Sequence, residues 1–358
     1  EIPLRLVGSE MCIRDRYSYE LSRSGAMDRA FVEELSKHKY PNLEITTELG
    51  NSKSSDAVAM SLGINLETVV TGKLGIFGYK TVIDVYAELF FFDFDEKKII
   101  NSVPINIQYI TVTKTKPTRA EIKELFRGLI FGTNREVKES LFARAANLLE
   151  TVHPRLNYGT RYKVGSVDFS SEASSQIRAA GMKIDHFQTI AAQMFTRALA
   201  AETGVAVIPY TKGQAIGAKM AARFANGDAF TFELPPADYA FNLSFDRLVS
   251  KRDSETSEIY DTEAYAVYQT VSFTQPDLNK VYLDIPFRSV TSATLQKEQN
   301  TFLSVAYLET VFDFYEAFAK DLKTPSTSWL KTVIKSENLS AAESSIDKVS
   351  ELLLASTK

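Results

Sequence analysis

Residues 205–234, VAVIPYTKGQAIGAKMAARFANGDAFTFEL, are the stretch from which we predict the repeating unit of the fold. The apolar start, residues 205–210, is typical of a short buried strand, and the small residues after Gly213 favour a helix that ends near Gly227. The same order recurs at residues 43–63, where an apolar segment precedes a polar Gly/Lys loop and a second apolar run. We therefore predict two strand, loop and helix modules at the centre of a duplicated architecture.

The polar loops of these modules supply the candidate ligand site. Each loop lies where a predicted strand gives way to a helix, whose free N–H groups and positive dipole end attract anions. The spacing does not fit a nucleotide-binding P-loop, which needs a glycine, four residues and then Gly-Lys-Ser/Thr. Turn formation and helix capping are the alternative roles for the same residues. The predicted ligand-binding residues are Lys53, Ser54, Ser55, Lys212, Gly213 and Gln214.

Long β-rich segments follow both modules. Residues 80–94 and 99–112 are rich in Val, Ile, Tyr and Phe and predict a long hairpin. In the second half, residues 239–249, 262–274 and 280–290 predict three consecutive strands. These strands are much longer than the usual five or six residues. The pattern indicates one long antiparallel meander in each half.

Helix signals complete the pattern. Thr118 with Glu121, and Thr133 with Glu136, have the spacing of capping boxes. Residues 185–202 carry apolar side chains at the spacing of an amphipathic helix, and residues 294–322 predict a long helix. We predict an α+β fold of two tandem related modules, each a helix, strand and helix followed by a three-stranded meander and a covering helix.

Short shared motifs support the duplication. Tyr86 and Tyr265 each stand beside an alanine in a meander strand, and each meander carries a proline, Pro104 or Pro286, in its last strand. Convergent α+β patterning without duplication is the alternative. We place the boundary between the halves in the Ser/Ala-rich stretch 170–181. The predicted domains are residues 17–170, residues 171–325 and a C-terminal helical tail, residues 326–358.

The first sixteen residues are predicted not to be native protein. Residues 6–16, LVGSEMCIRDR, match the translation of the transposon-derived adapter used to prepare sequencing libraries. Such segments are excluded from fold reasoning. We expect the genuine chain to begin near Tyr17, with its native N-terminus missing. The single cysteine, Cys12, then belongs to the adapter.

Composition excludes several classes of protein. The chain is 44% hydrophobic and 24% charged, which is typical of a globular protein. Its net charge of −4 argues against a dedicated nucleic-acid binder. The sequence contains no run of 18 apolar residues, so it predicts no transmembrane helix. A native segment without cysteine excludes disulfides and thiolate metal sites and fits an oxidising compartment.

No residue pattern predicts catalysis, a metal or a cofactor. The three histidines, His38, His153 and His186, lack the spacing of zinc ligands, and no Gly-x-Ser-x-Gly motif accompanies them. Asp93 and Asp95 share one face of a strand but lie at a predicted hairpin tip, where solvated turn residues are usual. We therefore predict no catalytic residue, no metal ligand and no cofactor.

The aromatic residues permit two interpretations. The run at residues 90–92, Phe-Phe-Phe, puts large rings on both faces of one strand. Either helices cover both faces of the sheet, or one face meets a protein partner or another subunit. We favour the core interpretation, because aromatic side chains dominate ordinary cores.

These observations predict a non-catalytic binding or assembly protein of a bacterial-type cell envelope. At coarse resolution the long meanders are similar to those of envelope lipoproteins, although no motif assigns a family. The expected location is extracytoplasmic, periplasmic or envelope-associated, and the expected partner is a protein or another copy of the chain. The alternative is an enzyme that acts on an anionic small molecule in a cleft between the modules.

Overall fold

The chain folds as two compact units in a computed structural model. One unit comprises Glu1–Tyr158 and Ala215–Pro235, and the other comprises Gly159–Gln214 and Pro236–Lys358. The predicted domain boundaries stay a prediction. The structure describes residues 4–6, 17–22, 26–40, 45, 58–74, 78–93, 98–133, 137–150, 159–210, 219–223, 229–254, 259–297, 302–334 and 339–356.

Groups of helices and groups of strands follow one another along the described chain. The elements up to the middle of the chain are β1 (Leu4–Leu6), α1 (Tyr17–Ser22), α2 (Ala26–Ser36), β2 (Val58–Lys73), β3 (Tyr79–Asp93), β4 (Lys98–Thr113), α3 (Arg119–Phe131), α4 (Leu141–Leu149), β5 (Tyr162–Phe169), α5 (Ser171–Ala179) and α6 (Ile184–Thr203). The remaining elements are β6 (Val207–Ile208), β7 (Lys219–Arg223), β8 (Ala229–Glu233), β9 (Tyr239–Asp253), β10 (Tyr260–Gln275), β11 (Lys280–Gln296), α7 (Leu303–Lys323), α8 (Thr327–Val333) and α9 (Leu339–Ala355). The predicted α+β class is confirmed.

The first unit is built on a sheet in the order β1-β2-β3-β4-β8-β7. Strands β2, β3 and β4 form an antiparallel meander paired along nearly its whole length. Strands β7 and β8 pair antiparallel, and β8 joins the meander in parallel at Lys98 and Glu233. Strand β1, which pairs in parallel with β2, lies in the segment predicted to be adapter-derived.

Helices α1 to α4 contribute to the hydrophobic core of the first unit. Phe142 of α4 is at its centre, with its ring 5.2 Å from that of Phe31 and 5.6 Å from that of Phe131. Phe91 of β3 belongs to the same buried cluster. Its neighbours Phe90 and Phe92 are also buried, although alternation turns them to the opposite face. All three rings are therefore buried, while coverage of both faces by helices stays a prediction.

The second unit is built on a sheet in the order β11-β10-β9-β5-β6. Strands β9, β10 and β11 form an antiparallel meander, and β5 pairs in parallel with both β9 and β6. The odd-numbered residues of β10 from Asp261 to Phe273 are buried, whereas the even-numbered residues are not. This alternation shows that one face of the sheet packs against the core and that the other is open.

Aromatic rings join the buried face of this sheet to helices α6, α7 and α8. Phe195 of α6 lies 4.9 Å from Phe241 of β9 and 5.1 Å from Tyr315 of α7, measured between ring centroids. Trp329 of α8 lies 6.5 Å from Phe287 of β11. The fully buried Tyr315 hydroxyl donates a hydrogen bond to the side-chain oxygen of Gln269. This aromatic cluster fixes which face of the sheet is covered.

The central modules differ from the prediction. Residues 58–63, predicted as a helix, belong to strand β2, and the helix predicted after Gly213 is replaced by strands β7 and β8. A short apolar run fits both a strand and a buried helix. Residues 58–63 form a strand because β2 pairs with β3 along its whole length. This pairing gives hydrogen-bond partners to alternate backbone groups of β2 and buries Met60, Leu62 and Ile64 on one face.

Two helix boundaries also differ. The helix expected to begin at Thr133 begins at Leu141, where Ser140 caps it by accepting a hydrogen bond from the Ala143 amide. The helix expected from Thr294 begins at Leu303, because β11 continues to Gln296 in pairing with β10. Other local signals are confirmed. They are the Thr118–Glu121 capping box and the amphipathic helix α6.

The register of the two meanders gives no further support to the duplication. Tyr86 lies on the face of β3 opposite the helix-covered core, on the same side as the pair of Glu88 and Pro104. Tyr265 is buried on the helix-covered face of β10, opposite to the pair of Thr270 and Pro286. The tyrosines that suggested a match therefore occupy different faces. Duplication stays a prediction.

A buried carboxylate makes the stability of the second unit depend on pH. One oxygen of Asp321, near the end of α7, accepts a hydrogen bond from the Ser326 amide at 2.7 Å, and the other is buried without a partner among the described residues. Burial, opposed by the hydrogen bond from Ser326 and assisted by the nearby carboxylate of Asp347, raises the pKa of Asp321 to about 6. Because the folded state holds this proton more tightly than the unfolded state, stability falls as pH rises from about 4 to about 6.

Replacing Asp321 with asparagine is expected to raise the free energy of unfolding at pH 7 by about 1–2 kcal/mol, after allowance for solvent screening. The amide oxygen keeps the bond to Ser326, while the charge is removed. Urea unfolding at pH 4.5 and pH 7 measures the effect. The variant should lose the part of the pH dependence that the wild type shows between these values. An identical pH dependence in both proteins would contradict the assignment.

Candidate functional site

Both predicted ligand loops lie outside the described residues. Residues 51–57 contain Lys53, Ser54 and Ser55, and residues 211–218 contain Lys212, Gly213 and Gln214. The last described residue before the second loop is Tyr210, whose pKa burial raises to about 12, with a further contribution from the Asp168 carboxylate. That electrostatic coupling places the entry to the loop near the end of β5. The anion site at these loops stays a prediction.

The open face of the second sheet is the broadest candidate surface among the described residues. We call it the outer face and define it by the outward side chains of β5, β9, β10 and β11. The cross-strand rows follow from the register: Ser244, Thr270 and Pro286 form a central row, with Arg247, Tyr268 and Arg288 in the row on one side. Asn242, Ser272 and Asp284 form the row on the other side.

Small side chains make this surface flat. Around the central row, outward positions of β10 hold Ala264, Ala266 and Ser272. Gly165 of β5 lies so close to Asn242 that an added β-carbon would come within 2.5 Å of its side-chain oxygen. Asn242 donates a hydrogen bond to the Ser272 hydroxyl across the strands at 3.3 Å. A flat face of small, hydrogen-bonding side chains suits contact with another protein surface better than enclosure of a small molecule.

The row of Arg247, Tyr268 and Arg288 carries positive charge. Tyr268 has an arginine opposite it on each neighbouring strand, Arg247 on β9 and Arg288 on β11. The guanidinium carbon of Arg247 lies 4.2 Å from the centre of the Tyr268 ring, which is within the range of a cation–π interaction. Arg288 is exposed and has no ion-pair partner within the described ranges. Lys251 extends this basic half of the outer face.

Acidic side chains lie at the central row and beyond it. Asp284 is exposed on β11, four residues before Arg288, and has no ion-pair partner in the part of the chain that the structure describes. Asp168 of β5 lies in the central row and accepts a hydrogen bond from the Ser166 hydroxyl at 2.6 Å. Burial raises the pKa of Asp246, which also accepts a hydrogen bond from Thr270. The outer face thus carries both signs of charge, with Asp246 beside Arg247 at the bulge in β9 and Lys163 near the start of β5.

Two other polar groups among the described residues take part in pairings between neighbouring elements. His38 contacts the Glu150 carboxylate at 3.0 Å, and Asp84 accepts hydrogen bonds from Thr68 and Gln108 inside the first sheet. Burial raises the pKa of Asp84, while both hydrogen bonds lower it. These are structural pairings across neighbouring elements. Asp95 and His153 lie outside the described residues.

A shallow depression of about 580 Å³ lies at the turn between α5 and α6. Arg178, Lys183 and Asp185 are among its lining residues, and Gly181 turns the chain there with a φ of +83°.

Within the described ranges, no group of three or more His, Cys, Asp or Glu side chains could hold a metal ion. Over the same residues, no helix has both the length and the apolar composition required of a membrane span.

The outer face was absent from the sequence-based site prediction, although a signal for it exists. Strand β10 reads TEAYAVYQTVS from Thr262 to Ser272, and its outward positions alternate with larger buried residues. That alternation predicts one open and one covered face. Identifying the covered face requires the helices, which approach from distant parts of the chain.

Comparison with known proteins gives only remote matches. No family model and no curated protein matches the sequence. One similar solved structure is a minor lipoprotein from Acinetobacter baumannii, with 10% identity and a TM-score of 0.23 over 46% of this chain and 91% of that chain. Another is a neuraminyllactose-binding hemagglutinin homologue from Helicobacter pylori, with 9% identity and a TM-score of 0.26 over 54% of this chain and 97% of that chain. Scores and identities this low define neither a family nor a function.

Proposed function

We propose that this chain is a non-catalytic binding or assembly protein of a bacterial-type cell envelope, and that it uses the outer face of the second sheet. The observation that carries the proposal is the open, flat face around Ser244, Thr270 and Pro286, rich in hydroxyl groups and charges. A contiguous exposed sheet face is a surface to which a protein partner can dock. The absence of cysteine after Cys12 supports an oxidising location.

The proposal is tested in cells that express the gene with its recovered native start. A photo-reactive amino acid is placed at Ser272, on the outer face, and in a matched strain at Glu351, which is exposed on α9. We expect the protein in the envelope fraction and a discrete cross-linked product from Ser272 alone. A cytoplasmic location would overturn the envelope assignment. Equal products from both positions, or none from Ser272, would overturn the assignment of the surface.

A further inference from the structure

The geometry points to a second copy of this chain as an occupant of the outer face. We propose that two outer faces pack together around a two-fold axis that passes through the row of Ser244, Thr270 and Pro286 and runs across the strands. This inference rests on the proposed function, since it names the partner of the same surface. It is carried by the size of the face, by its small side chains and by the placement of its charges.

The size of the outer face suits a stable dimer. Four strands about 4.8 Å apart, paired over roughly 12 residues on average at about 3.3 Å per residue, give the face an area on the order of 750 Å². Stable interfaces bury about 800 Å² on each partner. The small side chains of Ala264, Ala266, Ser244 and Ser272 allow two sheets to approach closely over this area.

The charges select the direction of the two-fold axis. Asp284 and Arg288 stand two residues on either side of Pro286, and both point outward on β11. An axis that crosses the strands at Pro286 brings Asp284 of one copy opposite Arg288 of the other, and the pair occurs twice, against a single like-charge contact between the two copies of Asp168, which lies on the axis. An axis along β10 would instead bring Arg247 opposite Arg288 of the second copy. Repulsion between like charges disfavours that arrangement.

The free edge of β11 is a less suitable place for pairing. Strand β11 ends the sheet, so one side of it has no neighbouring strand among the described residues. Pro286 in its middle has no N–H group to donate, and charged residues stand on either side of it. Prolines and charges of this kind prevent the edges of sheets from joining. The outer face therefore remains the surface that fits a second copy.

Sedimentation equilibrium of the purified full chain tests the inference through charge reversal. Wild type should dimerise. Asp284→Arg and Arg288→Asp should each weaken dimerisation at least about tenfold, because each turns two attractive contacts into repulsive ones. The double variant, and an equimolar mixture of the two single variants, should restore the wild-type dissociation constant to within about threefold, because opposite charges again face each other.

Control variants separate a surface effect from a change in folding. Lys331→Asp on α8 and Glu351→Arg on α9 reverse charges that are exposed outside the outer face, and they should leave the dissociation constant unchanged. Fluorescence of Trp329 should be unchanged in every variant. A wild type that stays monomeric up to about 100 µM, well above the range of stable dimers, would overturn the inference. The inference would also be overturned if neither single reversal changed the dissociation constant, or if the double variant failed to restore it.

The outcomes for the dimer and for the proposed function are distinguishable. If the purified protein is monomeric but still gives a cross-linked product from Ser272 in cells, the dimer is refuted and the outer face remains the proposed binding surface. A protein that dimerises in solution as the charge reversals predict, but is cytoplasmic in cells, would support the dimer and refute the envelope function.

Discussion

Replacing Phe195 with alanine is expected to destabilise the second unit by about 3–5 kcal/mol. The ring is buried and lies between Phe241 of the sheet and Tyr315 of α7, so its removal leaves a cavity at the junction of three elements. Closely packed neighbours collapse only partly into such a space. The loss is therefore larger than the transfer free energy of the side chain alone.

Urea unfolding monitored by Trp329 measures this loss. Trp329 is the sole tryptophan of the sequence and packs against Phe314, Phe318 and Phe287, so its fluorescence reports on the second unit. The control is Leu278→Ala, which shortens a side chain that is 66% exposed in the turn between β10 and β11 and should change stability by less than about 0.5 kcal/mol. Equal effects from the two substitutions would show that the aromatic cluster is not the core of this unit.

Phe91→Ala is expected to cost the first unit about 3–5 kcal/mol as well. Phe91 is completely buried on the helix-covered face of β3, between Met60 of β2 and Asn101 of β4 in the register. The prediction tests the assignment of Phe91 to the helix-covered core of the first unit. A core residue loses several kcal/mol on truncation, whereas a residue of an exposed interface loses little in the isolated chain.

Hydrogen exchange of the peptide that spans Tyr79–Asp93 measures the effect, because the first unit contains no tryptophan. Truncation of Phe91 should accelerate exchange in this peptide by two orders of magnitude or more, which corresponds to about 3 kcal/mol. Val112→Ala, at a position on β4 that is 52% exposed, should leave exchange within about twofold. Unchanged exchange in the Phe91 variant would contradict the assignment of β3 to the core.

Features set by neighbouring residues were predictable from the sequence. The Thr118 and Glu121 capping box depends on atoms three residues apart, and the helix at residues 184–203 follows from apolar residues at helical spacing. The meander strands were recognised for a similar reason. The segments that form β3 and β4 are rich in Val, Ile, Tyr and Phe, and β10 alternates between buried and less buried residues from Asp261 to Phe273.

Features set by distant pairing were missed. Residues 58–63 form a strand because β3 pairs with them from 25 to 35 residues farther along the chain. The run from Lys219 to Arg223 pairs with β8 although its small residues suggest a helix. The Asn-Gly sequence at 226–227 is a common hairpin signal, and it carried more information than the helix propensity of the residues before it.

The candidate surface was missed for a different reason. A search for reactive groups weighs lysines, histidines and carboxylates, whereas the outer face is defined by alanine, serine and threonine on alternate positions of β10. Such residues carry no chemical signature on their own. They become a surface only when helices α6 and α7 cover the opposite face and leave this one open.

The accessibility of single cysteines tests most directly the central claim that the outer face is open to a partner. In a Cys12→Ser background, Ser244→Cys and Ser292→Cys probe outward positions, while Ser289→Cys probes a buried position on the covered face. At low protein concentration, we predict rapid maleimide labelling at Ser244 and Ser292 and strong protection at Ser289. Protection of Ser244 at every concentration in the folded chain would contradict the account, because the face would then be covered from within the molecule.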